Sequence, residues 1–202
     1  MPSQNQNFFA LISRMKTISR WSLMRSVTPE NVAEHSHMTA VLAHALAVIR
    51  RDVLGLACDP NAVAAAALYH DASEILTGDL PTPIKYCNED IMTAYHQVED
   101  VASRRLLSML PDELRPAYEP LLTGGIGDYN RRLVKAADKL SAYIKCIEER
   151  KAGNDEFLQA EKKTLEKLRA YNMPEVEYFL KHFIPSFELT LDELGTMDYR
   201  EP

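Results

Sequence analysis

Apolar residues recur three and four positions apart along almost the whole chain, and this spacing constrains the fold more than any other feature. After Asn31 they fall at Met38, Leu42, Ala45 and Ile49. Such spacing puts side chains on one face of an α-helix, whereas a half-buried strand alternates at every second residue. No alternating run is convincing, and only seven glycines occur in 202 residues. The pattern predicts an all-α fold.

Capping residues, prolines and glycines predict where these helices begin and end. Asn31 with Glu34 three residues later resembles a capping box, and Asp59-Pro60 puts a proline at the first position of another helix. We expect that second helix to continue to Gly78, and residues 17–31 to form a long loop. Further helices are expected over about 8–15, 88–109, 111–122, 129–151, 154–171 and 174–183.

The length and composition suit one soluble domain. Apolar residues make up 46% of the chain and charged residues 26%, a usual globular balance. No repeat or linker divides the chain, so we expect a single domain over 1–202, with a core over about 30–150 and C-terminal helices over about 154–195 packed on it. The net charge of -6 argues against a nucleic acid polymer as the main partner.

Cysteine usage and hydropathy predict a cytoplasmic protein. The three cysteines, Cys58, Cys87 and Cys146, are odd in number and widely spaced, which argues against a disulfide framework. The N-terminal segment lacks the charged start, apolar run and cleavage site of a secretory signal. No stretch approaches the roughly 18 apolar residues of a membrane span, so no membrane partner is expected.

Four ionisable residues occupy or adjoin positions where the helical pattern predicts apolar contacts: His35, His70, Asp71 and Asp138. Taken singly, each has a simpler explanation as a hydrogen-bonded core histidine or a solvent-facing aspartate. Buried carboxylates, however, are costly unless they are paired or bound to metal. Two imidazoles and two carboxylates on three core helices form a ligand set for a first-row divalent metal ion.

Longer segments around these residues resemble the bacterial 5′-deoxynucleotidases of the HD-domain metal phosphohydrolase superfamily. The resemblance runs nearly end to end and is carried by RWSLMR, ENVAEHS, YHDASEILTGDLPTPIKY, LVKAADKLSAYIKCIEE and FIPSF. It implies a compact helical HD fold, a homodimer and one divalent metal ion per subunit. Co²⁺ or Mn²⁺ is expected first, with Zn²⁺ or Mg²⁺ as alternatives. The implied metal ligands are His35, His70, Asp71 and Asp138.

The same resemblance implies hydrolysis of deoxyribonucleoside 5′-monophosphates to deoxynucleoside and phosphate, with little preference among bases. The expected step is attack of a metal-bound water on phosphorus, because a metal lowers the pKa of its water and polarises a phosphoryl oxygen. Two alternatives stay open. One is an HD phosphohydrolase acting on nucleoside triphosphates or cyclic nucleotides, and the other is a non-catalytic helical protein that binds metal or nucleotide.

Two carboxylates near the His-Asp pair are the candidate catalytic residues. Glu74 lies one helical turn beyond His70, which suits a general acid or base beside the metal. Asp79 follows Gly78 in the next loop, where it would orient the attacking water or serve the leaving group. A surface glutamate near a helix end is the simpler explanation of Glu74.

Substrate contacts are expected from the loop before the first long helix and from the loop after Gly78. A guanidinium grips two phosphate oxygens at once, which makes Arg20 the candidate phosphate clamp. The single tryptophan, Trp21, follows it and is expected to pack against the sugar and exclude a 2′-hydroxyl. The full set of candidate substrate-binding residues is Arg20, Trp21, His35, Asp71, Asp79, Leu80, Pro81 and Thr82.

Overall fold

Helices account for nearly all regular structure in this chain. The structure, a computed structural model, describes residues 6–85 and 87–195, without the side chain of Thr82. No β-strand occurs in these residues, which confirms the predicted all-α class. The α-helices are α1 (Phe8–Ile12), α2 (Val32–Val48), α3 (Pro60–Leu68), α4 (Glu74–Thr77), α5 (Thr82–Lys85), α6 (Glu89–Leu107), α7 (Arg115–Thr123), α8 (Asp128–Lys151), α9 (Leu158–Ala170) and α10 (Pro174–His182).

The predicted starts of α2 and α3 are confirmed by their capping hydrogen bonds. Asn31 Oδ1 accepts two backbone N–H groups of the first turn of α2, and Glu34 accepts the N–H of Asn31 in return. Asp59 Oδ1 caps α3 in the same way, with Pro60 at its first position. Each cap satisfies backbone donors that the helix leaves unpaired. The caps therefore fix where His35 lies, in the first turn of α2.

The main hydrophobic core lies where α2, α3 and α8 pack together, with α9 and α10 closing it. Its large buried side chains are Leu42, Leu46, Val63, Leu133, Leu140, Ile144, Ile147, Leu168, Met173, Val176 and Phe179. A smaller cluster around Phe8, Ala72, Leu106 and Leu110 joins α1 to the turn after α3 and to α6. The described helices form a single compact domain. The boundary between a core over 30–150 and C-terminal helices over 154–195 stays a prediction.

The buried face of α2 differs from the predicted apolar stripe. Leu42 and Ile49 are buried as predicted, but Met38 is 36% exposed and Ala45 is only partly buried. Because α3 and α8 both cover α2, a wide arc of mostly small residues, together with His35, is buried as well. That arc is formed by His35, Ser36, Thr39, Ala40, Ala43 and Ala47.

The predicted continuous helix up to Gly78 is wrong, because α3 ends at Leu68. The next residue, Tyr69, has φ −110° and ψ 3°, outside the helical region. Its ring lies 6.2 Å from that of Phe8 and 5.8 Å from that of Tyr118, measured between centroids. We attribute the break to these tertiary contacts, since the local sequence contains neither proline nor glycine.

The break changes the setting of the His-Asp pair. Turns with i to i+3 hydrogen bonds connect α3 to α4, including Ala72 N–H to Tyr69 O at 3.0 Å. His70 and Asp71 therefore lie on a turn between two helices, not on the face of one helix. In a helix, two adjacent side chains point about 100° apart around the axis. A turn removes this constraint, so that the side chains of His70 and Asp71 can reach the same point.

None of the helices in residues 6–85 and 87–195 is both long enough and apolar enough to cross a lipid bilayer. The longest, α8, is amphipathic and buries one face in the core. Its opposite face carries charged residues, including Arg131 and Glu148. This pattern is typical of a helix that borders a protein core.

A buried ion pair on α8 holds the loop that precedes α2. Glu149 accepts a hydrogen bond from Lys145 at 2.5 Å and from the backbone N–H groups of Val27 and Thr28 at 2.8 and 3.0 Å. Asn154 Nδ2 donates to the same carboxylate at 2.8 Å. Burial raises the pKa of Glu149, but these donors outweigh it and lower the pKa to about 2. The loop is thus tied to α8 through Glu149 and through Lys145, whose ammonium also donates to the carbonyl oxygen of Thr28.

We expect Glu149→Gln to lower the free energy of unfolding at pH 7 by about 2–4 kcal/mol, because the buried Lys145 ammonium loses its ionised partner and keeps the carbonyl oxygen of Thr28. The folded-state pKa of Glu149 lies below the ordinary value of 4.5. Its carboxylate therefore stabilises the fold above pH 4.5, and this contribution is lost as the pH falls towards 2.

Urea unfolding of both proteins between pH 7 and pH 3 measures this effect. The deficit of the variant should be constant above about pH 5.5 and should shrink below about pH 4.5. The exposed neighbour Glu148 provides the control, since Glu148→Gln should change stability by less than about 0.5 kcal/mol. A deficit that persists unchanged at low pH would contradict the assignment.

Candidate active site

The four predicted metal ligands come together from α2, the turn after α3, and α8. His35 Nε2 lies 3.1 Å from Asp138 Oδ1 and 3.6 Å from Asp71 Oδ2. Asp71 Oδ2 lies 3.1 Å from His70 Nε2. One ligand atom each from His35, His70 and Asp138 falls within 4.8 Å of the other two. The elements of the fold therefore bring the residues together as the sequence pattern requires.

His35 is held from both sides of its ring. The side chain is fully buried, and Nδ1 lies 3.2 Å from Ser141 Oγ. On the other side, Thr39 Oγ1 lies 3.4 Å from Nε2, which also faces Asp138. The Ser141 contact, on the ring nitrogen away from the cluster, is of the kind that fixes the orientation of a metal-binding imidazole. Ser141 lies on the same face of α8 as Asp138, one turn further on.

The hydrogen bonding of His70 leaves one ring nitrogen available to bind a metal ion. Its Nδ1 lies 2.7 Å from the carbonyl oxygen of Ala67, and since a carbonyl only accepts, Nδ1 must donate. In the neutral ring Nε2 then carries the lone pair that a metal requires. That Nε2 is buried and has no hydrogen-bond partner among the described residues, because Asp71 approaches it outside hydrogen-bonding geometry. The donor set therefore fits a divalent cation.

The electrostatics of the cluster favour ionised aspartates. Burial raises the pKa of Asp71, but the neighbouring His70 outweighs it and the net pKa falls below its usual range. For Asp138, burial is likewise outweighed by the hydrogen bond with His35, and the pKa is lowered well below 3.8. Burial lowers the pKa of His70, yet the Asp71 carboxylate raises it overall. Two carboxylates that stay ionised suit a dication.

Glu74 and Asp79 lie beside this cluster in different surroundings. Glu74 opens α4 and is 6% exposed, and its Oε2 is buried without a hydrogen-bond partner in the described residues. Burial, reinforced by Asp71 and Asp79, raises the pKa of Glu74 to about 9. Burial also raises the pKa of Asp79. Gly78, with φ +73°, turns the chain between them, and its carbonyl accepts a hydrogen bond from Tyr95 at 3.3 Å.

The loop after Gly78 leads into the short α5. Leu80 and Pro81 are half-buried, and Pro81 O accepts the N–H groups of Ile84 and Lys85. The side chain of Thr82 lies outside the described part of the chain. Contacts of Leu80, Pro81 and Thr82 with a substrate therefore stay predictions. Lys85 forms an ion pair with Glu99 of α6 at 2.8 Å.

Arg20 reaches the metal-ligand cluster from the loop before α2. Its Nη1 lies 3.3 Å from Asp71 Oδ2, and its side chain is 12% exposed. Burial lowers the pKa of Arg20, but carboxylates, Asp71 first among them, raise it overall. Trp21 follows with φ +59°, and its ring centroid lies 5.2 Å from that of Phe157. A fixed cation thus lies beside the proposed metal centre, and the role of Arg20 as a phosphate clamp stays a prediction.

Sequence reasoning missed three side chains that support the site: Thr39, Ser141 and Glu30. A helical spacing of three from Asp138 to Ser141, and of four from His35 to Thr39, was available as a signal. Glu30 lies in a loop without periodicity, and no local pattern marks it.

Comparisons with known proteins agree with this geometry. The family model of YfbR-like 5′-deoxynucleotidases matches residues 7–187. A 5′-deoxynucleotidase of Vibrio cholerae is 51% identical over 193 residues, covering 95% of this chain and 100% of the relative. The 5′-deoxynucleotidase YfbR of Escherichia coli is 47% identical over 193 residues, covering 95% of this chain and 97% of the relative.

Solved structures show the same fold. An HD-domain phosphohydrolase from Listeria innocua is 26% identical with a TM-score of 0.78, covering 90% of this chain and 88% of that one. The HD phosphohydrolase of cyanophage S-2L was solved bound to dA and one catalytic Zn²⁺ ion. It is 18% identical with a TM-score of 0.62, covering 90% of this chain and 96% of that one. The predicted HD-domain fold is therefore confirmed. The chain belongs to the YfbR-like 5′-deoxynucleotidase family.

Proposed function

We propose that this protein is a metal-dependent 5′-deoxynucleotidase, a phosphoric monoester hydrolase that converts deoxyribonucleoside 5′-monophosphates to deoxynucleoside and phosphate. One observation carries the proposal: His35, His70, Asp71 and Asp138 converge beside the buried guanidinium of Arg20. Family membership supports the same activity, since the relatives at 51% and 47% identity are named 5′-deoxynucleotidases. A phosphomonoester fits this site because its dianion can meet a cation and a guanidinium together.

The same four side chains would hold one divalent ion. When bound, the ion lowers the pKa of water for attack on phosphorus and polarises a phosphoryl oxygen. We propose Co²⁺ or Mn²⁺, with Zn²⁺ or Mg²⁺ as alternatives. Imidazole and carboxylate together accept each of these ions, so the choice depends on availability and geometry. The Zn²⁺ of the cyanophage enzyme supports a single catalytic ion.

The chain's own residues have distinct tasks in this reaction. Arg20 grips phosphate oxygens and holds the phosphorus in line. Glu74 transfers a proton at the reaction centre, where its buried Oε2 has no hydrogen-bond partner among the described residues. Asp79, next to it on the loop, serves either the attacking water or the leaving 5′-oxygen.

The sugar and base are handled by two loops. We propose that the Trp21 ring presses on the 2′ carbon and so selects deoxyribose over ribose. Asp79, Leu80, Pro81 and Thr82 would contact the nucleoside, together with the ligands His35 and Asp71. The prolines of this loop reduce the entropy lost when it becomes ordered. We propose little preference among bases, as the resemblance to the bacterial 5′-deoxynucleotidases implies.

We also infer that the enzyme acts in the cytoplasm as a homodimer. Exposed apolar side chains on the outer faces of α2 and α3, namely Met38, Val41 and Leu68, support an interface of this kind. Light scattering of the purified protein measures the oligomeric state directly, and a monomer at micromolar concentration would contradict the inference.

Phosphate release after chelation and re-addition of single metals tests the proposed activity. The substrates are matched deoxy- and ribonucleoside 5′-mono- and triphosphates, together with a cyclic nucleotide. We expect metal-dependent release from several deoxyribonucleoside monophosphates and little from the ribonucleotides. No release from any deoxyribonucleoside monophosphate with any of the four metals would refute the proposal. Preferential release from triphosphates or the cyclic nucleotide would favour the alternative substrates.

A further inference from the structure

We propose that Glu30 is a positioning residue that sets both the phosphate clamp and the sugar-selecting ring. A single carboxylate oxygen, Oε2, accepts hydrogen bonds from Arg20 Nε at 3.1 Å and from Trp21 Nε1 at 2.9 Å. The inference rests on the proposed function, which assigns Arg20 to the phosphate and Trp21 to the sugar. It explains how two neighbouring side chains with different tasks keep a fixed relation to each other.

The main chain reinforces this contact. Arg20 N–H donates to Glu30 O at 3.0 Å, and Ser19 and Asn31 form an antiparallel bridge at the base of the same loop. Glu30 therefore contacts Arg20 through its backbone and through its side chain. Because Asn31 also caps α2, Glu30 is anchored directly to the helix that carries His35. Glu30 thus fixes the position of the Arg20 guanidinium relative to the metal-ligand cluster.

The side chain of Trp21 depends on such a restraint. Its φ of +59° lies in the left-handed region, which bulky residues rarely adopt. Its ring packs against Phe157, and its Nε1–H is directed at Glu30. The Trp21 side chain is partly buried, and the bond from its indole N–H to Glu30 fixes the rotation of the ring. Loss of the acceptor would free the ring from its orientation towards the sugar.

The guanidinium of Arg20 is held in the same way. Nε donates to Glu30, and Nη1 donates to Asp71 at 3.3 Å. Among the described residues these contacts use two of its five N–H donors, so the others can reach phosphate oxygens. A carboxylate near an anionic substrate weakens binding unless its charge serves another group. Here the charge of Glu30 orients the Arg20 guanidinium.

Two variants separate the charge of Glu30 from its hydrogen-bonding oxygen. Glu30→Gln keeps an acceptor for the neutral Trp21 N–H but weakens the charge-assisted bond to Arg20. We expect the KM for a deoxyribonucleoside monophosphate to rise about 3–10-fold, with the deoxy-to-ribo preference within about twofold of wild type. Glu30→Leu removes both bonds. We expect a rise of about 10–100-fold in KM, a smaller loss in kcat, and a clearly weaker preference for deoxyribose over ribose, because the Trp21 ring loses its orientation.

Fluorescence supplies a readout that needs no activity. Trp21 is the only tryptophan, so its emission reports this loop alone. We expect Glu30→Leu to shift the emission and increase acrylamide quenching, while Glu30→Gln stays close to wild type. Glu34→Gln is the matched control, because glutamine also completes a capping box at this exposed position. It should leave emission, KM and sugar preference unchanged.

The outcomes distinguish this inference from the proposed function. If wild type releases no phosphate from any deoxyribonucleoside monophosphate, the proposed function fails, and the Trp21 emission still tests the contact with Glu30. If wild type is active but Glu30→Leu keeps its KM, sugar preference and emission, the positioning role is wrong. A Glu30→Gln enzyme with a lower KM than wild type would also overturn it, since the carboxylate would then only repel the substrate.

Discussion

Replacing His70 with alanine is expected to weaken binding of a divalent ion by more than about 100-fold. Its Nδ1 donates to Ala67 O, which leaves a buried Nε2 without a hydrogen-bond partner in the described residues. Loss of outer-shell partners alone costs about 10–100-fold in metal affinity, and loss of a ligand should cost more. Phosphate release should therefore disappear at metal concentrations that saturate the wild type.

Metal titration by calorimetry and thermal unfolding measure this loss without an activity assay. A ligand at 100 times its dissociation constant stabilises the native state by about 2.7 kcal/mol. Metal should therefore raise the unfolding temperature of the wild type but not of His70→Ala. The exposed His37, on α2 near His35, is the matched control, and His37→Ala should keep the wild-type response. Equal stabilisation of His70→Ala and wild type would exclude His70 as a ligand.

The sequence predicted those helix ends that are set by capping residues, prolines and glycines. The capping pattern at Asn31 and the proline after Asp59 located the starts of α2 and α3, because capping bonds form within one turn. Gly78 marked the end of α4, where a positive φ is needed. The assignment of the four metal ligands followed from the family resemblance. Local periodicity alone did not provide that assignment.

The break after Leu68 was not predictable by the same means. Residues around His70 keep helical spacing, and neither proline nor glycine interrupts them. The chain leaves the helix where the ring of Tyr69 meets Phe8 and Tyr118, which are distant in sequence. Tertiary contacts overrode a local preference that is worth only a few tenths of a kcal/mol per residue.

Glu30 illustrates a second limit. Its partners Arg20 and Trp21 are ten and nine residues away, and they face it only after the loop closes through the bridge between Ser19 and Asn31. A supporting residue on a helix, such as Ser141, can be recognised from its spacing to a ligand on the same helix. A supporting residue in a loop has no such spacing. Residues that position an active site from loops therefore become visible only in three dimensions.

Glu74→Gln is expected to lower kcat by about 10²–10⁴-fold while leaving metal content unchanged. Glutamine keeps the shape of the side chain but neither donates nor accepts the proton that the reaction moves. The metal ligands, including the neighbouring Asp71, are untouched by the change. A protein that only binds metal or nucleotide would be indifferent to it. The measurement pairs phosphate release at saturating substrate with metal analysis, and Glu113→Gln at an exposed position is the control.

The same variant should make the metal-free protein more stable at neutral pH. Burial raises the pKa of Glu74 to about 9 in the folded state, against an ordinary value of 4.5. A carboxyl whose folded pKa is raised costs stability as the pH rises above 4.5, because the unfolded chain gains more from ionising. Glutamine removes this cost, so at pH 7 we expect a gain on the order of 3 kcal/mol in urea unfolding. The gain should vanish below pH 4.5, and its combination with lost turnover would show a residue kept for chemistry at the expense of stability.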